Sequence, residues 1–288
     1  MLGRSRAAPE PETPQREAGP EPEGVVQPHG NAANAEQLEA ERQCARDALD
    51  EYLDVVDPEK LGRAPFPNEV TACDFEEIAT LYADILGDRT DLHIAPEGLS
   101  PRFTAEVVEA TAKDLAKILA TVTGRDLLAD LAVGEKGLQT HIRWTGSPED
   151  AYASPLDKGE MGRDGSGAEV AYTPGEAAEI GGPQWGHVPS DVVLFHELTH
   201  ARHMQGGDVP AEIGETGDVL GYPSVDEMGL NATDPGDVNV IAEEYATVGL
   251  DAWADDPRTE NGYRAEREQV TGERTDRRTS YAIPATNP

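Results

Sequence analysis

The sequence predicts an α+β fold, mainly helical, with a small mixed sheet flanking one helix that carries the chemistry. Three observations lead there. Apolar residues recur at 3.6-residue spacing over several stretches, two shorter stretches alternate with β-branched and aromatic residues, and one helical stretch sets two histidines a single turn apart. At 288 residues the chain is long enough to bury a sizeable core.

Residues 1–33 are rich in Pro, Glu, Gly and Ala and lack apolar periodicity. Such a segment buries too little surface to offset its ordering entropy, so a disordered, acidic, Pro-rich tail is expected there, followed by one domain over 34–288. Asn34, with Gln37 three residues on, reads as a helix start, and Leu38, Ala45, Leu49, Tyr52, Leu53 and Val56 give that helix one apolar side. Asp57-Pro58 stops it before a Pro/Gly-rich loop at 62–67. A second helix is expected from Asp74, carrying Ile78, Leu81, Tyr82 and Ile85. A third is expected over 101–122, with Val107, Val108, Leu115, Ile118 and Leu119 in phase and Gly124 as its C-terminal stop. Residues 138–145 and 168–173 read as strands, joined by a Gly- and Asp-rich surface loop. Pro189-Ser190-Asp191 opens a helix over 192–205 that ends at Gly206-Gly207, and 238–250 is a last amphipathic helix.

Composition excludes some partners. The formal net charge of −33 repels nucleic-acid phosphates and anionic membranes, and attracts a basic peptide. Two cysteines, Cys44 and Cys73, make no disulfide framework and read as ordinary thiols. No apolar run approaches the roughly 20 residues that span a bilayer, so no membrane insertion is expected. Positive charge at Met1–Arg6 has no apolar stretch behind it, which argues against a cleavable secretory signal and for a chain that is cytoplasmic when synthesised.

The chemistry centres on His196-Glu197-Leu198-Thr199-His200. Four-residue spacing on a helix puts both imidazoles on one face, where they can share an ion, and sets the Glu197 carboxylate beside a water on that ion. Zinc suits this donor set, since neutral imidazoles hold it and an open position keeps the water. Chance supplies roughly 0.03 such motifs per chain of this composition, so the pattern is a signal. The preceding run Val192, Val193, Leu194 and Phe195 buries the helix entry. A histidine at 206 with a glycine at 203 would mark the metzincin pattern; the chain has Gly206 and His203 instead. His203 reads as lining the cleft or capping the helix end. For the third ligand, Val240, Ile241, Glu244, Tyr245 and Val248 form one stripe, and a carboxylate within it is costly unless paired or metal-bound. Glu244 is therefore the expected ligand, with Glu243 on the flank orienting a ligating histidine.

The segment HELTHARHMQGG, with EEYATVGL after it, resembles the pattern of NleD-like bacterial effector metalloproteases and, more distantly, clostridial neurotoxin light chains, both gluzincin-type zinc proteases. The resemblance implies a zincin-like fold, Zn2+ as cofactor, and the second glutamate of the pair, Glu244, as ligand. Thr259-Glu260-Asn261-Gly262-Tyr263-Arg264 looks like the T-E-N-x-x-R element of those effectors, so Glu260, Asn261 and Arg264 are expected to orient the site or its substrate. Arg278 and Tyr281 match an R-x-x-Y element that helps hold the transition state in the light chains. The same resemblance implies an endopeptidase delivered into a target cell, a toxin-like effector acting on a protein or peptide substrate, with secretion or injection machinery engaging the N-terminal tail.

Glu197 is then the expected base, Arg278 and Tyr281 the expected oxyanion donors, and strand 168–173 the expected cleft edge. Two other readings compete. A non-enzymatic cargo protein with a structural zinc site needs His203 or Glu243 in the fourth position, and an aminopeptidase needs an acidic subsite for the substrate's amine.

Overall fold

The computed structural model describes residues 72–279 apart from 97, 158–164, 176–177, 180–186, 208–211, 214–218, 222–241 and 272–273. The expected tail at 1–33, its boundary at 34, the helix at 34–56, Cys44 and Tyr281 lie outside the described residues.

A mixed helical and β architecture is found. Helix α1 (Ala72–Leu86) covers the expected second helix and buries Ile78, Tyr82 and Ile85. Strand β1 (Leu92–Ile94) comes next, then helices α2 (Pro101–Leu119) and α3 (Val122–Val133). The single helix expected over 101–122 is thus two, and Gly124 sits inside the second rather than ending the first. Thr121 breaks the run. Its backbone is extended, and its hydroxyl accepts the Gly124 N–H (2.9 Å) while donating to Ile118 O (2.8 Å). A Cβ at 124 would meet Ile118 O at 2.0 Å, so glycine is required by this close approach and not by a left-handed stop.

Strands β2 (Thr140–Trp144), β3 (Tyr152–Pro155) and β4 (Ala168–Tyr172) complete one four-stranded sheet in the order β1-β2-β4-β3. β1, β2 and β4 run parallel, and β3 pairs antiparallel with β4 at the sheet's margin. The link between β2 and β4, expected as plain loop, therefore supplies a strand, and 168–173 lies inside the sheet rather than at the cleft edge. Two-stranded ribbons pair β5 (Ala178–Glu179) with β6 (His187–Val188) and β7 (Glu212–Ile213) with β8 (Val219–Gly221).

Helix α4 (Ser190–Gly206) carries the histidine motif across this sheet. It buries Val192, Val193, Leu194, Phe195, Leu198 and Ala201 on nearly all sides, and each large apolar side chain so placed stabilises the fold by about 1.5–3 kcal/mol. Gly207, left-handed at φ 67°, terminates it. Two C-terminal helices complete the surroundings: α5 (Ala242–Val248), within the expected 238–250 helix, and α6 (Glu260–Thr271), whose Tyr263 ring stacks on Phe195 at 4.4 Å. No described helix is long and apolar enough to cross a membrane.

Candidate metal centre

Packing of α4 against α5 and α6 brings His196, His200 and Glu244 to one point. The two Nε2 atoms lie 3.0 Å apart, and Glu244 Oε2 is 3.3 Å from His196 Nε2 and 3.4 Å from His200 Nε2. A tetrahedral ion with bonds of about 2.0–2.1 Å sets its ligands about 3.3–3.4 Å apart, close to this triangle. Glu244 Oε2 is buried and finds no hydrogen-bond partner among the described residues. A buried acceptor left so is destabilising by about 1–3 kcal/mol unless a cation meets it. The donor set fits a divalent metal.

The far side of each ring is held by a carboxylate. His196 Nδ1 donates to Glu260 Oε2 (2.7 Å), and His200 Nδ1 pairs with Glu243 Oε2. This turns both Nε2 lone pairs inward, which is the way such carboxylates orient metal-binding imidazoles. Burial alone would lower the His196 pKa, but the carboxylates of Glu244 and Glu260 lift it to about 9; Glu243 and Glu244 likewise raise His200 against its burial. Burial pushes Glu243 up, yet His200 and His203 hold it at about 2. Glu243 Oε1 receives His203 Nδ1 (3.0 Å) and the Thr247 hydroxyl (3.0 Å), and Thr247 Oγ1 also lies 3.2 Å from His200 Nδ1. His203 and Glu243 therefore bond to each other, outside the group formed by His196, His200 and Glu244.

Glu197 is 7 % exposed, and burial, its largest influence, raises its carboxyl pKa. It lines a cavity of about 180 Å3 together with His196. Its apolar lining is Val188, Val192, Val193, Pro148 and Ala151, and its other charged lining is Glu149, Glu260, Arg264 and Arg278. Glu260 joins the two arginines, accepting from Arg264 Nε (2.6 Å) and Arg278 Nη1 (3.4 Å). Burial raises the Glu260 carboxyl, but these cations and His196 hold it well below the usual range. Asn261 does not face the cavity's lining; its side chain clasps the Arg278 backbone, accepting N–H at 2.7 Å and donating to C=O at 2.8 Å.

Sequence reasoning passed over Thr247 and the polar seat of α4. Thr247 stands one turn after Glu243, a spacing that puts both on one side of α5. At the seat, Asp191 accepts from Tyr263 Oη (2.7 Å) and Arg267 (2.5 and 3.1 Å), which fixes the start of α4 to α6. The 260, 263, 264 and 267 periodicity was the available signal.

Two imidazoles and a carboxylate that converge beside a cleft are an arrangement consistent with the metal site of a hydrolase. Residues 94–279 match the peptidase M91 family, described as effector protein, and the chain belongs to that family. No curated protein matches it. Family membership makes it a peptidase with a protein substrate, and the His–His–Glu group is consistent with a metal cofactor.

Proposed function

We propose that the chain is a zinc-dependent endopeptidase of the gluzincin kind, an NleD-like effector that cleaves proteins in a target cell. The observation that carries the reading is the inward triangle of His196, His200 and Glu244, with its unpartnered oxygen and its two supporting carboxylates. Imidazole and carboxylate donors at this spacing suit zinc over hard, oxygen-seeking cations. When bound there, Zn2+ supplies Lewis acidity toward a carbonyl and lowers the pKa of water from about 15.7 to roughly 7.

The protein's own groups supply the rest. Glu197, whose carboxyl is raised by burial, takes the proton of the attacking water and returns it to the leaving amine nitrogen. Arg278, placed by Asn261 and steered by Glu260, supplies the guanidinium for the developing oxyanion, a contact worth about 3 kcal/mol; Tyr281 is proposed as its companion donor. Arg264, held by Glu260, keeps that end of the cleft cationic. Val188, Val192 and Val193 receive an apolar side chain next to the scissile bond. The substrate lies extended along β3, the margin of the sheet nearest the cleft.

A structural zinc site would need a fourth protein ligand, and both candidates for it, His203 and Glu243, are bonded to each other. Delivery into another cell rests on the effector description of the family and on the proposed engagement of the N-terminal tail by secretion machinery. Glu197→Gln tests the core of the reading. We expect it to retain one equivalent of metal by elemental analysis and to lose about 10²–10⁴-fold in casein or peptide-library turnover. Parental turnover by the metal-loaded variant would end the assignment of Glu197, and chelator-insensitive turnover by the parent would end that of the metal.

A further inference from the structure

We propose that the outer edge at β3 offers substrate N–H donors only at Ala151 and Ala153, and that Pro155, which keeps an outward C=O but has no N–H, weakens backbone pairing beyond them. The inference rests on the peptidase reading and adds the reach of its cleft.

The register decides which backbone groups are committed. Leu156 donates its N–H to Gly167 O at 2.8 Å, and the opposed pairs Ser154↔Glu169 and Tyr152↔Ala171 succeed it at two-residue steps. In an antiparallel ladder, residues two apart exchange both of their bonds with the same neighbour. Tyr152, Ser154 and Leu156 therefore spend their N–H and C=O groups on β4. Strand β4 agrees: Ala168 donates to Gln139 O (2.8 Å) and Tyr172 accepts from Thr145 N (2.9 Å), so its even-numbered residues serve β2, and Gly167, Glu169 and Ala171 remain for β3.

The remaining groups on β3, the N–H and C=O of Ala153 and the C=O of Pro155, face away from the sheet, and the same two-residue alternation carries to Ala151 just before the strand. No described strand pairs with that side. An extended chain arriving there meets two donors, two residues apart, and then a ring that has no N–H to give. The stretch also adjoins the reaction centre, because Ala151 lines the same cavity as His196 and Glu197. Ala151 and Ala153 both pack against the core, and their small side chains leave the edge approachable. Two-bond backbone recognition is thus short and next to the reaction centre, and at Pro155 it falls to a single acceptor, the proline C=O.

A proline on a sheet margin also blunts unwanted edge-to-edge association, and that role alone predicts a different result. In the test, a peptide that the zinc-loaded full chain cleaves is selected from a mass-spectrometric library and then lengthened or trimmed two residues at a time from either end. With the parent protein, residues added past the position opposite Ala153 gain less in kcat/KM than those opposite Ala151 and Ala153. Ala153→Pro, which deletes one outward donor, lowers kcat/KM by about fivefold through KM, with metal content and melting temperature held. Pro155→Val, which restores a donor, makes the lengthened peptides better by about fivefold and leaves the short one as it was. Parental kinetics in Ala153→Pro, or no length dependence in Pro155→Val, would overturn the inference. Self-association of Pro155→Val without a change in length dependence would overturn it too, and leave the proline as an edge blunter. If the parent cleaves nothing in the library, the peptidase reading itself fails, and this inference goes with it.

Discussion

Helix α4 carries two acid-rich regions that use the same ingredients to opposite ends. At its first turn, every oxygen of Asp191 is met by a donor: Tyr263 and Arg267 on one, Arg267 again on the other, with Lys117 Nζ at 3.6 Å. Burial pushes this carboxyl up, but Arg267 outweighs it and the pKa is lowered, so the group is a charged, satisfied strut. Near the middle of the helix, Glu244 Oε2 faces two imidazole nitrogens and is satisfied by neither. Donor bookkeeping separates the two. A carboxylate whose oxygens are all met by well-directed donors holds structure, and one left with an unpartnered oxygen between two imidazole nitrogens offers a place to a cation.

The largest expected effect breaks this comparison if it fails. Asp191→Ala removes the carboxylate that the buried Arg267 guanidinium and Tyr263 hydroxyl both donate to, and should destabilise the fold by about 3–5 kcal/mol. Glu244→Ala should destabilise the metal-free protein by less than Asp191→Ala does, because Glu244 is 22 % exposed and there only offsets the charge on His196 and His200, while abolishing metal binding. Denaturant unfolding of both, beside metal titration, reads the contrast. Equal destabilisation by the two substitutions would mean that Glu244 is a strut as well.

A smaller effect sharpens it. Glu243 accepts from His200, His203 and Thr247, so under the proposed reading it would act on a metal through the orientation of a ring. Glu243→Gln should weaken metal affinity by about 10–100-fold, measured by competition with a chromophoric chelator, with the stoichiometry retained. A complete loss of binding would make Glu243 a direct ligand, and an unchanged affinity would make its contact with His200 incidental.

How much of this the sequence discloses depends on whether a residue's role leaves a periodic trace. His196, Glu197 and His200 stand out because ligand geometry and helix pitch coincide, and Glu244 because an acid interrupts an apolar stripe. Glu260, Asn261 and Arg264 came only by resemblance. Their helix, ENGYRAEREQVT, buries Glu260, Arg264, Glu266 and Arg267 beside Tyr263, so the packed face is largely charged and a search for apolar residues does not single out the site-facing acids and arginines. β1 and β3 were missed for another reason. LHI and YASP are too short, and the second too poor in β-branched residues, to declare themselves without the neighbours that pair with them. The break at Ala120–Thr121 was hidden because α2 and α3 continue one apolar pattern across it, and only the Thr121 cap marks the stop.

The smallest effect concerns the hinge between the two regions. Asp114 of α2 accepts from Ser190 Oγ (2.9 Å) at the start of α4 and from Gly175 N (3.2 Å) just past β4, with Tyr172 Oη at 3.5 Å and Lys117 Nζ at 3.6 Å. Burial foremost, and then the charge of Asp191, raises its pKa to about 6; Lys117, Ser190 and Gly175 pull the other way without prevailing. A carboxyl whose folded pKa lies above its unfolded value near 3.8 stabilises the fold fully below that value, and the contribution is lost as pH rises through about 6. Between pH 5 and 7 that loss amounts to about 1 kcal/mol. Asp114→Asn keeps the shape and removes the proton, so the stability difference between parent and variant should shift by that amount, in the parent's disfavour, over the same interval. The histidines of the metal centre are common to both proteins and drop out of the difference. A flat difference would place the Asp114 proton outside this window and leave Asp114 as a second strut like Asp191, whereas the expected slope makes the two buried aspartates unequal partners, one always charged and one titrating beneath the helix that holds the metal ligands.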